Sequence, residues 1–399
     1  MRQTRKNLKT LLFSACAIVM ATCINSCAYN AAQVYEEKVS TNAEILADSG
    51  TKAEVEAVSA PDRVPDPGAL FEEIVRERLA GRLASCEGRL NDIRKSFPGT
   101  IWAARASFLL GVDGLEKVNT DGGIEGVEAL FQEASVLPHI QDYLLYFRGR
   151  AFERSKKIAE AVAAYDLMLE LYPASVLRTE VLYRKAGAML EGGSAEPARR
   201  IYTEFIERYS KSSRIPEALL GTGRASVLLG DNEAAIKAAS RLLIHYPANR
   251  ASRGAAQIVS QLRAAGVDIP EYSVEERFRR AQRLFDATLY AEAIKELEIV
   301  ERGAGPGELK EKALIKKAVA LVRLKEYSRV EGLLERYLTS RGASTRDAEA
   351  LYWLSLSALR QSKARLLEKC VEELSARFPS SAERAGAILF MGRYYEGIG

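Results

Sequence analysis

Residues 161, 198 and 235 are all alanine, and residues 172, 209 and 246 are all tyrosine, so the chain returns to the same residue type every 37 positions. Around these positions EAVAAYDLMLELYPAS, EPARRIYTEFIERYSKS and EAAIKAASRLLIHYPAN run together without gaps at their cores. Gly149, Ala186 and Gly223 repeat with the same spacing, each within an apolar pattern of helical period. A fixed period of roughly 20–50 residues constrains a fold more than any composition does, because one short unit cannot bury its own apolar face and must stack on its neighbours. The unit here is two helices. Small residues sit where helix axes come close, and the aromatic near the end of the second helix wedges into the following pair. The expected fold is all-α, a solenoid of helix pairs.

The register lapses after residue 266 and returns. Ala293, Val330 and Leu367 are again 37 apart, with Ala281, Ala318 and Ser355 as the matching first-helix positions. Between the two registers, RASRGAAQIVSQLRAAG reads as one lone first helix ended by Gly266 and Pro270. Ser273-x-x-Glu276 then reads as a capping box that starts the next helix. The predicted organisation is a first helical block over 69–266 and a second over 273–399. Upstream, CEGRLNDIRKSFP and VEALFQEASVLP read as worn second helices. The second block also closes on a lone helix, with Gly392 at the small-residue position; such a helix covers the open apolar face of the last pair.

Gly149, Phe152, Ala161, Tyr165 and Pro173 fall at the spacing of the tetratricopeptide repeat, which these units resemble. That family's usual period is about 34 residues; here extra residues follow the proline, in ASVLRTE. The resemblance implies a concave surface lined by first helices and used to bind partners. The same pattern is similar to the helical superhelix of soluble lytic murein transglycosylases. The catalytic domain of those enzymes carries a Glu-Ser pair and a Gly-Leu-Met-Gln run, and neither is in this sequence.

Residues 1–26 contain Arg2, Arg5, Lys6 and Lys9, no acid, and a short apolar run from Leu11 to Ile24. This is the pattern of a secretion signal, too short to span a bilayer as a helix. It ends in INSC, which resembles the lipobox of bacterial lipoproteins and makes Cys27 the expected lipid anchor. Acyl chains hold by burial of CH₂ groups, each worth about 0.8 kcal/mol. Residues 27–68, polar and then Pro-rich, read as a flexible tether. The expected location is the periplasmic side of a bacterial envelope, anchored in the outer membrane. Taking the four leader cations from 57 basic residues leaves 53, against 53 acidic ones. The mature chain is therefore near neutral and lacks the clustered charge that nucleic acid requires.

No motif for catalysis or cofactor binding is present, so no enzyme activity and no cofactor are expected. His139 and His245 belong to different units and read as structural. GDNEAA, residues 230–235, reads as a solvated turn rather than a calcium loop. Cys86 and Cys370 read as small buried residues rather than a disulfide. Tyr143, Tyr146 and Tyr183, with Arg148, Arg150, Arg184 and Arg224 beside them, fall on first helices and are the candidate partner-binding residues; Tyr352 and Trp353 occupy similar positions. Tyr and Arg together suit peptide or glycan recognition. Two readings follow. One is a lipid-anchored scaffold for an envelope protein or peptidoglycan. The other is a truncated or degenerate lytic transglycosylase that retains only its helical domain.

Overall fold

A computed structural model describes residues 66–82, 85–118, 121–339 and 344–397. The leader, Cys27 and the tether as far as residue 65 lie outside the described residues. Among the described residues the secondary structure is helical throughout, with eighteen α-helices and two short 3₁₀ turns. The chain divides into two compact units, residues 1–181 and 182–399.

The first unit contains α1 (Pro67–Leu79), α2 (Cys86–Ser96), α3 (Ile101–Gly114), α4 (Asp121–Ala134), α5 (Gln141–Arg154) and α6 (Ile158–Leu171). α7 (Arg178–Glu191) runs across the division. The second unit continues with α8 (Ala195–Arg208), α9 (Ile215–Leu228), α10 (Asn232–His245), α11 (Ser252–Ala264), α12 (Val274–Asp286) and α13 (Tyr290–Gly303). It ends with α14 (Glu308–Arg323), α15 (Tyr327–Thr339), α16 (Asp347–Arg360), α17 (Ala364–Arg377) and α18 (Ala382–Glu396). Within each unit most helices pack on the next and in places on the next but one, as α9 does on α11, α10 on α12 and α16 on α18. This is the solenoid of helix pairs that the period demands. Helix begins slightly earlier than the tether boundary predicts. The Asp66 carboxylate accepts from the Gly68 and Ala69 N–H groups, and Pro67 at the first turn needs no such partner.

The periodic small residues are where the sequence places the packing. Ala161, Ala198 and Ala235 are fully buried, as are Ala186, Ala281, Ala318 and Ser355. The close approach has a specific form. A Cβ built on Gly149 of α5 would lie inside contact distance of the Tyr165 ring on α6, and one on Gly111 of α3 would collide with Phe131 on α4. Tyr202, in register with Tyr165, lies against Gly221 on α9. A large ring from the second helix thus fills the space that a missing side chain leaves on a first helix. Gly392, expected to be another such position, is exposed and has open space where a Cβ would be.

Two turns repeat with the helices. In six of the pairs the first helix closes on a residue with positive φ: Lys156, Gly193 and Gly230, then Thr288, Lys325 and Ser362. Within each triplet these positions are again 37 apart. Each makes the same two bonds; at Lys156, Lys157 N–H donates to Phe152 O and Lys156 N–H to Glu153 O. This is the Schellman closure of a helix, and its left-handed residue is usually glycine. Here four of the six carry a Cβ, and at those four the sequence gives no sign of the turn. The second recurring turn accounts for the period. Tyr172, Tyr209 and Tyr246 are the C-caps of their helices and accept from the N–H of Ser175, Ser212 and Asn249. Those three side chains in turn accept from the N–H of Leu177, Arg214 and Ala251 at 3.1, 3.2 and 2.8 Å. The residues beyond a 34-residue unit therefore form a Ser/Asn-anchored turn into the next pair. The tyrosines do not simply wedge into the following pair. The Tyr209 ring lies 5.3 Å from Phe205 of its own helix.

The Ser273–Glu276 capping box is present in full. Cys86 and Cys370 are buried and free, and burial pushes the Cys370 thiol up to about 12. Asp231 of GDNEAA accepts from the Ala234 N–H and pairs with Arg199 at 2.6 Å, which is helix capping.

Two substitutions test this account in urea melts. Gly149→Ala is expected to destabilise by about 1–3 kcal/mol, because the buried Tyr165 ring has nowhere to move. Thr288→Gly is expected to stabilise by about 1 kcal/mol, since φ of 62° costs a residue with a Cβ more than glycine's extra chain entropy returns.

Candidate functional site

The predicted partner-binding residues separate into two groups. Tyr143 and Tyr146 on α5 are in the core, 9% and 2% exposed. The Tyr146 ring lies edge-on to Phe147 at 5.0 Å, and the Arg150 guanidinium caps both rings at 5.8 and 5.9 Å. Arg148 is held by Glu128 on α4, with Nη2 to Oε2 at 2.7 Å. Neither tyrosine presents a surface to a partner, and both arginines have work inside the first unit; this corrects the expectation that they line a binding face. The cause is position. A first helix enclosed by neighbouring helices has more of its circumference buried than a single amphipathic stripe suggests.

Tyr183 on α7 is half-buried against Tyr202 and Phe205, at 6.0 and 6.2 Å, with the Arg214 guanidinium 5.0 Å over its ring. Arg184 beside it is half-buried and has partners of its own. Tyr352 packs against Phe390 at 5.2 Å and Trp353 at 5.1 Å. Of the candidates, Arg224 on α9 is different: it is exposed and makes no hydrogen bond or ion pair among the described residues.

Arg224 lines an open groove of ≈ 450 Å³ in the second unit. Every wall comes from a first helix: Leu190 and Glu191 from α7, Val227 and Leu228 from α9, and Gly254, Gln257, Ile258 and Gln261 from α11. The repeat aligns these walls, because Leu190 and Val227 are one period apart, as are Glu191 and Leu228, and Arg224 and Gln261. A Cβ on Gly254 would meet the Leu220 methyls, so its absence keeps α11 close to α9. Leu228 is 66% exposed. The groove thus combines an apolar wall, an unpaired guanidinium and two carboxamides that each donate and accept. That set matches an extended peptide, with the amides on its backbone, Arg224 on a carbonyl or carboxylate, and the leucines on a side chain. Sequence reasoning missed the groove apart from Arg224. Leu228 carried a signal, as an apolar residue at the position where the preceding repeat has Glu191.

Residues 180–212 and 217–249 match the family profile of the tetratricopeptide repeat. These two segments are tetratricopeptide repeats. Arg224 and Leu228 lie in the second of them, and Leu190 and Glu191 in the first. No curated protein matches the chain. Among solved structures it is similar to a tetratricopeptide repeat protein from Parabacteroides merdae, at 16% identity and a TM-score of 0.38 over 73% of this chain and 98% of that one. It is also similar to yeast Tom70, at 12% identity and 0.34 over 87% and 68% of the two chains. Pseudomonas aeruginosa pilF gives 13% identity and 0.29 over 77% and 99%. At these scores the likenesses carry neither a shared curvature nor a shared partner.

Among the described residues no group of three or more His, Cys, Asp and Glu could hold a metal ion, and no helix is long and apolar enough to cross a membrane.

The different surroundings of the arginines predict different costs. Arg224→Ala should leave the urea midpoint unchanged within about 0.5 kcal/mol. Arg148→Ala should destabilise by about 0.2–1 kcal/mol through loss of the Glu128 pair.

Proposed function

We propose that the chain is a lipid-anchored scaffold of the bacterial envelope. Cys27 holds it to the outer membrane on the periplasmic side, and the groove of α7, α9 and α11 takes an extended segment of a partner protein. The observation that carries this reading is the groove itself, where an exposed leucine and an unpaired arginine stand beside two carboxamides. Surfaces with no binding role rarely keep such a set in one concavity. A peptide partner fits better than a glycan, because Tyr143 and Tyr146, which would have stacked on sugar rings, are buried. The anchor rests on the INSC motif after the short apolar run.

Binding without cleavage follows. Glycoside cleavage needs a carboxyl whose pKa is raised in an apolar pocket; the groove's carboxylate, Glu191, is exposed. Incubation with purified peptidoglycan sacculi is expected to release no muropeptides above a heat-killed control.

The anchor and the groove are tested separately in cells. Cys27→Ser is expected to abolish palmitate labelling and move the protein out of the membrane fraction; retention of both would remove the anchor from the reading. A photo-crosslinking residue at Leu228 is expected to give a discrete adduct that Arg224→Glu weakens about tenfold or more, on the scale of one charged contact. The same residue at Arg208, outside the groove, should give none. Equal adducts at both positions would remove the groove from it.

A further inference from the structure

On the second helices the repeat sets three residue pairs in register: Leu167 and Leu171, Glu204 and Arg208, and Arg241 and His245. Each pair is one helical turn apart. The middle pair neutralises itself, with Arg208 Nη1 2.9 Å from Glu204 Oε1. The last pair has no acid, and the fold adds more positive charge to it. Arg280 Nη1 donates to the Leu243 carbonyl at 2.7 Å, and its Nε donates to Glu296 at 2.9 Å. Leu243 lies in the last turn of α10, where carbonyls lack helical partners. This bond ties α12 to the end of α10, and the charges of Arg279 and Arg283, one turn apart on α12, reach His245.

Arg277 and Arg280 share Glu296. Arg241, Arg279 and Arg283 are exposed and make no hydrogen bond or ion pair among the described residues. The acid that acts on His245 is Glu276, whose carboxylate already accepts from the Ser273 N–H in the capping box. His245 is half-buried, and burial first, then the charges of Arg279, Arg241 and Arg283, lower its pKa, while Glu276 opposes them.

We propose that Arg241, His245, Arg279 and Arg283 form a binding site for a phosphoryl group. Three guanidinium groups offer more donors than the two oxygens of a carboxylate accept, whereas a phosphoryl dianion presents three oxygens and two charges. Its second ionisation, near pH 6, lies close to that of imidazole. Arrival of the dianion offsets the arginine charges, so His245 takes up a proton and becomes a fourth donor. The site lies on the second helix α10 and on α12, apart from the groove, and does not depend on the function proposed for it.

The test uses the full chain with Cys27→Ser, to keep acylation out, and labelled histidine. The chain has two histidines, so His139 serves as the internal reference. Titration with inorganic phosphate, against potassium chloride of equal ionic strength, is expected to raise the His245 pKa by about one unit and leave the His139 resonance unmoved. In the Arg279→Gln, Arg283→Gln double variant the His245 pKa should rise without phosphate, because two like charges are gone, and the response to phosphate should vanish. The first of these effects shows that the variant still folds around His245. No phosphate-specific shift, or an undiminished shift in the double variant, overturns the proposal. Phosphatidylcholine vesicles with and without phosphatidic acid identify the source. Preferential sedimentation with phosphatidic acid, lost in the double variant, assigns a lipid headgroup. An intact phosphate shift without that preference assigns a soluble phosphate ester.

Discussion

Three of the closest helix approaches in this fold are made by a pair of facing residues, one with no side chain and one with a ring. Tyr165 occupies the space above Gly149, Phe131 the space above Gly111 and Tyr202 the space above Gly221. A ring in that position does two things. It lets two helix backbones approach closely, and it supplies a large buried apolar area at the point of approach. The fully buried alanines at 161, 198 and 235 make the complementary contact one turn away. Helices of only eleven to sixteen residues are marginal in isolation. Their stability comes from such contacts and, in the later repeats, from buried aliphatic residues in the same register, Leu297, Leu334 and Val371.

The repeated contacts leave other positions free to differ. On the first helices α7, α9 and α11, the outward residues are Glu191, Arg224, Leu228, Gln257 and Gln261, no two in-register members alike. On the second helices the outward pairs pass from Leu167 and Leu171 to Glu204 and Arg208 to Arg241 and His245. A solenoid separates the two tasks spatially: one set of positions holds the backbone, and the remainder defines a surface. This separation explains how an exposed apolar groove and an uncompensated basic cluster coexist with a well-packed core. Neither interrupts the core beneath, where Ala235, Ala239 and Leu242 of α10 stay buried.

The turns show the same economy of means. The left-handed closure at Lys156, Thr288, Lys325 and Ser362 is strained for residues with a Cβ, yet its two backbone bonds recur at every one. The helix packing on either side imposes the conformation, and the local residue adapts to it. The Ser175, Ser212 and Asn249 turns work the other way. There a side chain chosen for local hydrogen bonding sets the path of the chain into the next pair.

The 37-residue period was enough to determine helix pairs, their stacking and the buried alanines, because periodicity is a property of sequence order and burial follows from it. The Ser273–Glu276 box was legible for the same reason: its bonds span three residues. The binding surface was not. Tyr143, Tyr146 and Arg148 look like groove residues in a linear reading. Whether a first-helix side chain faces a neighbour or solvent depends on how many helices enclose it, and that is fixed only when the array is assembled. Leu190, Leu228 and Gln261 meet for the same reason, drawn from three helices whose separation along the chain exceeds any local pattern. So do His245, Arg279 and Arg283, brought together by the bond from Arg280 to the Leu243 carbonyl. Sequence settled what each helix buries; tertiary structure alone decided which exposed residues share a site, because that depends on contacts between helices and not on spacing within one.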